Sequence, residues 1–321
     1  MRKHILVATL AALTSIAPAL ADGYPTKPIT FIVPFAAGGP LDLLARAIAE
    51  PMGAQLGQPV VIENIVGAAG SIGVGRAVHA APDGYTVSVG NWSTHVVNGA
   101  IYSLQYDLLT DLAPVVLLPS APQLIVAKNT MPAANVRELV TWLHSTTANV
   151  GTAGVGSASH VSGLFLQNMT KTQFAFVSYR SGGAALQDLV AGHIDLMLDQ
   201  ASNSLPQIRA GAIKTYAVTS KSRLAVAPDI PTVVEAGLPQ FHISVWNGLW
   251  APKGTPPNVI ARLNAAAVKA MASPSLQKRF ADLGQEEPTP DQLSPAALAA
   301  FQKAEIDKWW PIVKAANIKA N

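Results

Sequence analysis

The stretch that most constrains this chain is Phe31–Arg46, FIVPFAAGGPLDLLAR. The apolar run Ile29–Phe35 predicts a fully buried strand. It stops at Ala36-Ala37-Gly38-Gly39, and Pro40 opens a helical pattern with Leu41, Leu44, Ala45 and Ile48 on one face. A strand, a glycine turn and a helix start in succession leave the N–H groups of the first helical turn pointing beyond the strand end, where an anion can be held. Pro40 suits the first helical position because its missing N–H would have had no partner there.

The same unit recurs at Val150–Met169. Asn149–Thr152 reads as a strand, Ala153–Ser159 as a Gly/Ser turn and His160–Met169 as a helix. Further strands are expected at Pro59–Glu63, Tyr85–Val89, Leu112–Leu118, Gln123–Ala127, Phe174–Val177, Ile194–Leu198 and Ile213–Thr219. Helices are expected from Ser71, as a cap, to Ala80, and at Val136–His144, Ala184–Ala191 and Leu205–Ala210. Strands alternating with helices argue a parallel α/β architecture. One strand–turn–helix unit per domain is the natural partition, with crossings near Pro119–Pro122 and Pro239–Phe241. Beyond Phe241–Trp250, which alternates like a strand, helices at Asn258–Met271, Ser275–Leu283 and Ser294–Ala316, the last broken at Pro311, are expected to return over the first domain. The division is then 22–120 with 241–321, and 121–240.

The first 21 residues read as a secretory signal peptide: a basic Arg2-Lys3-His4, an apolar Ile5–Ile16 and a small-x-small Ala19-Leu20-Ala21, cut after Ala21. Export to a bacterial periplasm is expected. Taking Arg2 and Lys3 from a formal charge of +3 leaves +1, so there is no electrostatic case for nucleic acid or an acidic membrane surface. The chain has no cysteine, so it must rely on a core rather than disulfides. Only 13% of its residues are charged, as suits buried parallel strands.

In open α/β sheets, ligands sit outside the carboxyl ends of strands. Five such ends are of interest: Phe35–Gly39, Gly90–His95, Thr152–His160, Tyr179–Gly183 and Asp199–Asn203. They carry glycine, hydroxyl, amide and histidine groups without a paired acid and base. Asp42 reads as the residue that satisfies the start of its helix, with Arg46 one turn on. His95 and His160 follow hydroxyl-rich turns. They lack metal-ligand spacing and a placed nucleophile, so a polar-cleft or helix-start role is expected, with no metal and no cofactor. An exported hydrolase using Ser157 or Ser93 with His160 or His95 is the competing enzymatic reading, weakened by the missing acid partner. Gly67–Gly75 matches no nucleotide motif and reads as a tight loop. Arg180 is either a carboxylate partner or a solvated loop residue. Trp92 and Trp246 are either core or an aromatic wall.

Taken in order, IVPFAAGGPLDLLAR, VVIENIVGAAGSIG, AAPDGYTVSVG, GVGSASHVSGLF, VSYRSGGAALQDLVAGHIDLMLD, LPQIRAGAIKTYAVTS, APDIPTVVEAGLP and WNGLWAPKGTP resemble the substrate-binding proteins of tripartite tricarboxylate transporters, the Bug/TctC-type receptors. The resemblance implies a two-domain clamshell of the periplasmic binding protein type, with mixed sheets flanked by helices and the ligand in the cleft between domains. It implies a small carboxylate ligand, a dicarboxylate or aromatic acid, and cognate membrane transporter subunits as partners for a monomeric receptor. A membrane sensor served by a ligand-bound adaptor is the alternative partner. Carried over by residue, the first-domain contacts are Phe35, Ala36, Ala37, Gly38, Gly39 and Leu41, joined by Asn91, Trp92, Ser93, Thr94 and His95. The second-domain contacts are Gly154, Gly156, Ser157, His160, Tyr179, Arg180 and Asp199. Leu41 stands where a Thr or Ser hydroxyl is frequent, Ile65-Val66 replaces a common Arg-Pro, and Trp92 is bulkier than usual. These departures shift the expected ligand toward an apolar or aromatic acid.

Overall fold

A computed structural model describes residues 23–315. The expected signal peptide and its cleavage after Ala21 lie outside the described residues, as does the last position of the expected C-terminal helix, Ala316. The strands are β1 (Ile29–Val33), β2 (Val60–Asn64), β3 (Thr86–Asn91), β4 (Leu112–Lys128), β5 (Ala148–Thr152), β6 (Phe174–Ser178), β7 (Leu196–Gln200), β8 (Ile213–Val218) and β9 (Ser244–Pro252). The helices are α1 (Pro40–Leu56), α2 (Ser71–Val78), α3 (Asn98–Ile101), α4 (Val136–Ser145), α5 (Ala158–Thr170), α6 (Gly182–Ala191), α7 (Ala201–Arg209), α8 (Pro257–Met271), α9 (Pro274–Asp282) and α10 (Pro295–Ala315).

Two lobes share one strand order. In the first, β2-β1-β3 is a parallel trio, extended by antiparallel β9 and the first half of β4. In the second, β6-β5-β7 is the parallel trio, extended by the second half of β4, antiparallel to β7, and by β8, antiparallel to β4. The strand of each strand–turn–helix unit, β1 or β5, sits at the centre of its trio. A strand covered on both faces reads as an apolar run, as β1 does through Ile29, Phe31, Ile32 and Val33. α1 packs its Leu41, Leu44, Ile48 and Met52 face against the first sheet with α8.

The structure differs from the sequence-based expectation in four places. The predicted strands Leu112–Leu118 and Gln123–Ala127 are one strand, β4, which passes between the lobes with a register shift between Leu118 and Ala121. The three prolines of this stretch interrupt the ladder without ending it. The sheets are mixed, as the family resemblance implies, and not parallel throughout as the alternation of strands and helices argues, because β4, β8 and β9 pair antiparallel with their neighbours. Ser71 is the first residue of α2 rather than its cap, and its hydroxyl accepts from Asn98 Nδ2 at 3.0 Å. α10 runs through Pro311 without a break. Its buried side, Leu298, Gln302, Ile306, Trp309 and Val313, keeps helical spacing across the proline and holds the last turn to the core.

α10 also braces the segment after β3. Gln302 Nε2 donates to the carbonyls of His95 (2.9 Å) and Leu108 (3.2 Å), and its Oε1 accepts from Trp250 Nε1 at 3.0 Å. Trp310 Nε1 donates to Val96 O at 2.8 Å. The His95 and Val96 carbonyls belong to a buried π-helical turn, Ser93–Val97, and unpaired they would each carry a desolvation cost.

Candidate functional site

Both strand–turn–helix units point at the same place. The N-terminal ends of α1, α5, α6 and α7 converge on a cavity between the lobes, represented on its wall by Pro40 and Leu41, Ala158 and Ser159, Gly182, and Gln200 with Asp199. Its volume is about 40 Å³, room for roughly three waters. Among the described residues no Lys or Arg lines it. Four helix starts supply partial positive charge and first-turn N–H groups instead.

The cavity is this small because the lobes touch on either side of it. Tyr102 of the first lobe donates its hydroxyl to Val155 O of the second. At the other side Ala36 N approaches Arg180 O at 3.5 Å. There a Cβ on Gly183 would lie 2.7 Å from Gly38 O, so only glycine permits that approach. Gly38 itself has φ +81°, which the turn into α1 requires.

The first turn is held in shape by Asp42. Its Oδ2 accepts from Gly38 N (2.8 Å) and Arg46 Nε (2.9 Å), and its Oδ1 accepts from Asn64 Nδ2 (2.9 Å), which also donates to Phe35 O (2.9 Å). Burial acts to raise the Asp42 pKa, but the hydrogen bonds from Arg46, Gly38 and Asn64 outweigh it and hold the carboxyl below its ordinary value. At the end of β3, Asn91 Oδ1 accepts from Ser93 N (3.1 Å), Ser93 Oγ (2.8 Å) and Thr94 N (3.2 Å).

Of the residues expected at the site, Phe35, Gly39, Leu41, Asn91, Ser93, Ser157 and Asp199 lie together on the cavity wall. Ala36, Ala37, Gly38 and Arg180 line an outer cleft beside it. Thr94 is buried and accepts from Asn91 N at 3.0 Å, bracing the strand end. His95 lies flat on Trp250 with ring centroids 3.8 Å apart, and burial pushes its pKa down to about 3. His160 is a helix-start residue: its N–H donates to Ser157 Oγ (3.4 Å), its Nδ1 accepts from Gly156 N (3.2 Å), and burial pushes its pKa down to about 4. Gly154 and Gly156 shape the turn, Gly156 against Tyr102 and Asn98. Tyr179 donates to Asp188 Oδ2 at 2.6 Å and does not line the cavity.

Trp92 requires a correction. It is fully buried in the core, edge-on to Trp309 at 4.8 Å, and lines no part of the cavity. An indole of that size finds its packing partners under α10, not at the cleft, so its bulk does not bear on ligand choice. Trp246 likewise donates to Glu305 Oε2 at 3.2 Å, outside the cavity wall. The hydroxyls named for the hydrolase reading are engaged elsewhere: Ser157 Oγ with His160 N and Ser159 Oγ, and Ser93 Oγ with Asn91.

Sequence reasoning missed Gln123. It opens the second half of β4, and the carboxyl-end rule does not look at the start of a strand. β4 is antiparallel to β7, so its start lies beside the ends of the parallel strands. Asp199 is 4% exposed, and its Oδ2 accepts from Asn203 Nδ2 (2.7 Å) and Ser204 Oγ (2.5 Å). Burial raises its pKa to about 6 against the opposing pull of these bonds.

Two lobes of like topology, joined by shared strands and shut over a cavity of helix N-termini, define a solute-binding protein of the periplasmic type. Residues 44–318 match the family described as tripartite tricarboxylate transporter family receptor, TctC, and the chain belongs to that family. Among solved structures, MatC from Rhodopseudomonas palustris with bound malate is 41% identical with a TM-score of 0.87, covering 90% of this chain and 100% of that one. The periplasmic binding protein BugD is 36% identical with a TM-score of 0.89, covering 92% and 100%. Rpa4515 from R. palustris, solved with adipate, is 30% identical with a TM-score of 0.87, covering 92% and 100%.

Proposed function

We propose that this chain is an exported receptor that captures a small dicarboxylate between its lobes and presents the closed form to the membrane subunits of a tripartite tricarboxylate-type transporter. The observation that carries this is the convergence of four helix N-termini on one shut cavity that, among the described residues, no basic side chain lines. That arrangement suits an anion held by backbone donors. The malate of MatC and the adipate of Rpa4515 support a straight-chain dicarboxylate over an aromatic acid. The moving bodies, among the described residues, are 23–120 with 241–315, and 121–240, flexing where β4 and the segment before β9 cross. Ligand stabilises the closed state by its preference for it. No helix among the described residues is long and apolar enough to cross a membrane, and processing after Ala21 releases the receptor into the periplasm.

Calorimetry and thermal melting of the mature protein with a panel of C4–C6 dicarboxylates and aromatic acids test this. Ligand at about a hundred times Kd stabilises by about 2.7 kcal/mol. Absence of heat and of any melting shift across the panel refutes the reading. Mass spectrometry of acid co-purified from the periplasm identifies the ligand, and N-terminal sequencing of that material checks the cleavage site.

A further inference from the structure

Gln123 is 1% exposed and sits on the cavity wall, yet its Oε1 is buried with no hydrogen-bond partner. A buried amide oxygen left unpaired is costly, and the backbone that carries it is pinned in the sheet. Gln123 N donates to Thr219 Oγ1 at 2.8 Å, and Gln123 O accepts from Thr219 N at 2.8 Å. The strand therefore fixes Gln123 at the cavity wall. Its ladder partner is Gln200, and Asp199 follows beside Leu124; both Gln200 and Asp199 share the cavity.

A carboxamide presents one acceptor and one donor side by side. Its complement is a group with a donor beside an acceptor. A plain dicarboxylate is acceptor-only when ionised and would leave Oε1 unpaired. A carboxylate with a hydroxyl or amino group on the adjacent carbon meets both atoms: its oxygen accepts from Nε2, and its α-substituent donates to Oε1. Asp199, the acidic side chain on that wall, also favours a ligand that carries a donor over one that carries only negative charge.

We propose that Gln123 is the specificity-determining residue of the site and selects a dicarboxylate bearing an α-hydroxyl or α-amino group over its unsubstituted analogue. This rests on the dicarboxylate-receptor reading above.

The test is calorimetric titration of the mature protein with succinate, L-malate and L-aspartate, repeated on Gln123→Met, whose fold is checked by circular dichroism and melting. Malate or aspartate is expected to bind at least about tenfold tighter than succinate, with the preference falling to within about threefold in Gln123→Met. The tighter of the two tells hydroxyl from amino recognition. Equal binding of all three acids by the wild type overturns the proposal while leaving the receptor reading intact, and needs no variant to be folded. A preference that survives in Gln123→Met overturns it by assigning selection to another group. Failure of all three to bind, with no other dicarboxylate binding either, refutes the receptor reading and the proposal with it.

Discussion

Replacing Asp199 by Asn should stabilise the unliganded protein at neutral pH. The carboxyl is 4% exposed, and burial lifts its pKa from 3.8 to about 6. Between those values the native state binds a proton that the unfolded state has released. Stability linked to this group is thus fully present below pH 3.8 and is lost as pH rises through about 6. At roughly 1.36 kcal/mol per pH unit, the ionised side chain costs the folded protein about 3 kcal/mol near pH 7.5. Asn keeps an oxygen for Asn203 and Ser204, which now donate to Asp199 Oδ2, and carries no charge to bury. At roughly 2 °C per kcal/mol for a chain of this size, Asp199→Asn should melt about 6 °C higher than wild type near pH 7.5. The gain should shrink toward zero near pH 4, where the Asp is protonated. The assay is thermal denaturation of both proteins, freed of ligand, across that range. An equal gain at both ends would mean that charge burial is not the cause, and a loss at neutral pH would refute the argument. A retained, destabilising carboxylate is what a binding site is expected to keep when function needs it.

The other predictions concern closure, turn shape and protonation. Tyr102→Phe removes the hydroxyl bonded to Val155 O across the lobes, so ligand affinity should fall about three- to tenfold, read by calorimetry, with little change in melting temperature. Asp42→Ala strips Gly38 N, Arg46 and Asn64 of a shared acceptor; a loss of about 2–3 kcal/mol in urea unfolding is expected, with weakened ligand binding. Arg180 is exposed on the outer cleft, so Arg180→Ala should change affinity by less than about twofold; a large loss would place its guanidinium on the ligand. His95 and His160 have native pKa values pushed from 6.5 down to about 3 and about 4. Their unfolded forms therefore take up protons that the native forms refuse, and stability should fall as pH drops from 6.5 toward 4. Asp199 opposes this between about 6 and 3.8, so urea unfolding of Asp199→Asn should show the steeper decline.

The elements of this fold were legible because their physics is local. A buried strand must be apolar, a turn with φ +81° favours glycine, and a helix start accepts proline: Ile29–Val33, Gly38 and Pro40 each announce themselves. The ordered motifs named the family for the same reason, since each is a turn or cap with few chemical solutions. Asp42, too, was readable as a helix-start residue from its position. What the sequence could not show was which strand lies beside which. Proline-rich Leu112–Lys128 reads as two strands with a linker, and only its long-range pairing with β7, β8 and β9 makes it one. That pairing carries Gln123 to the cavity, and the same tertiary packing takes Trp92 away from it, under Trp309 of a helix some two hundred residues later. Spacing along the chain determines how a segment folds. Whether a buried side chain meets a ligand or the core depends on partners brought from far along the chain, and that was decided only when the two lobes closed on each other.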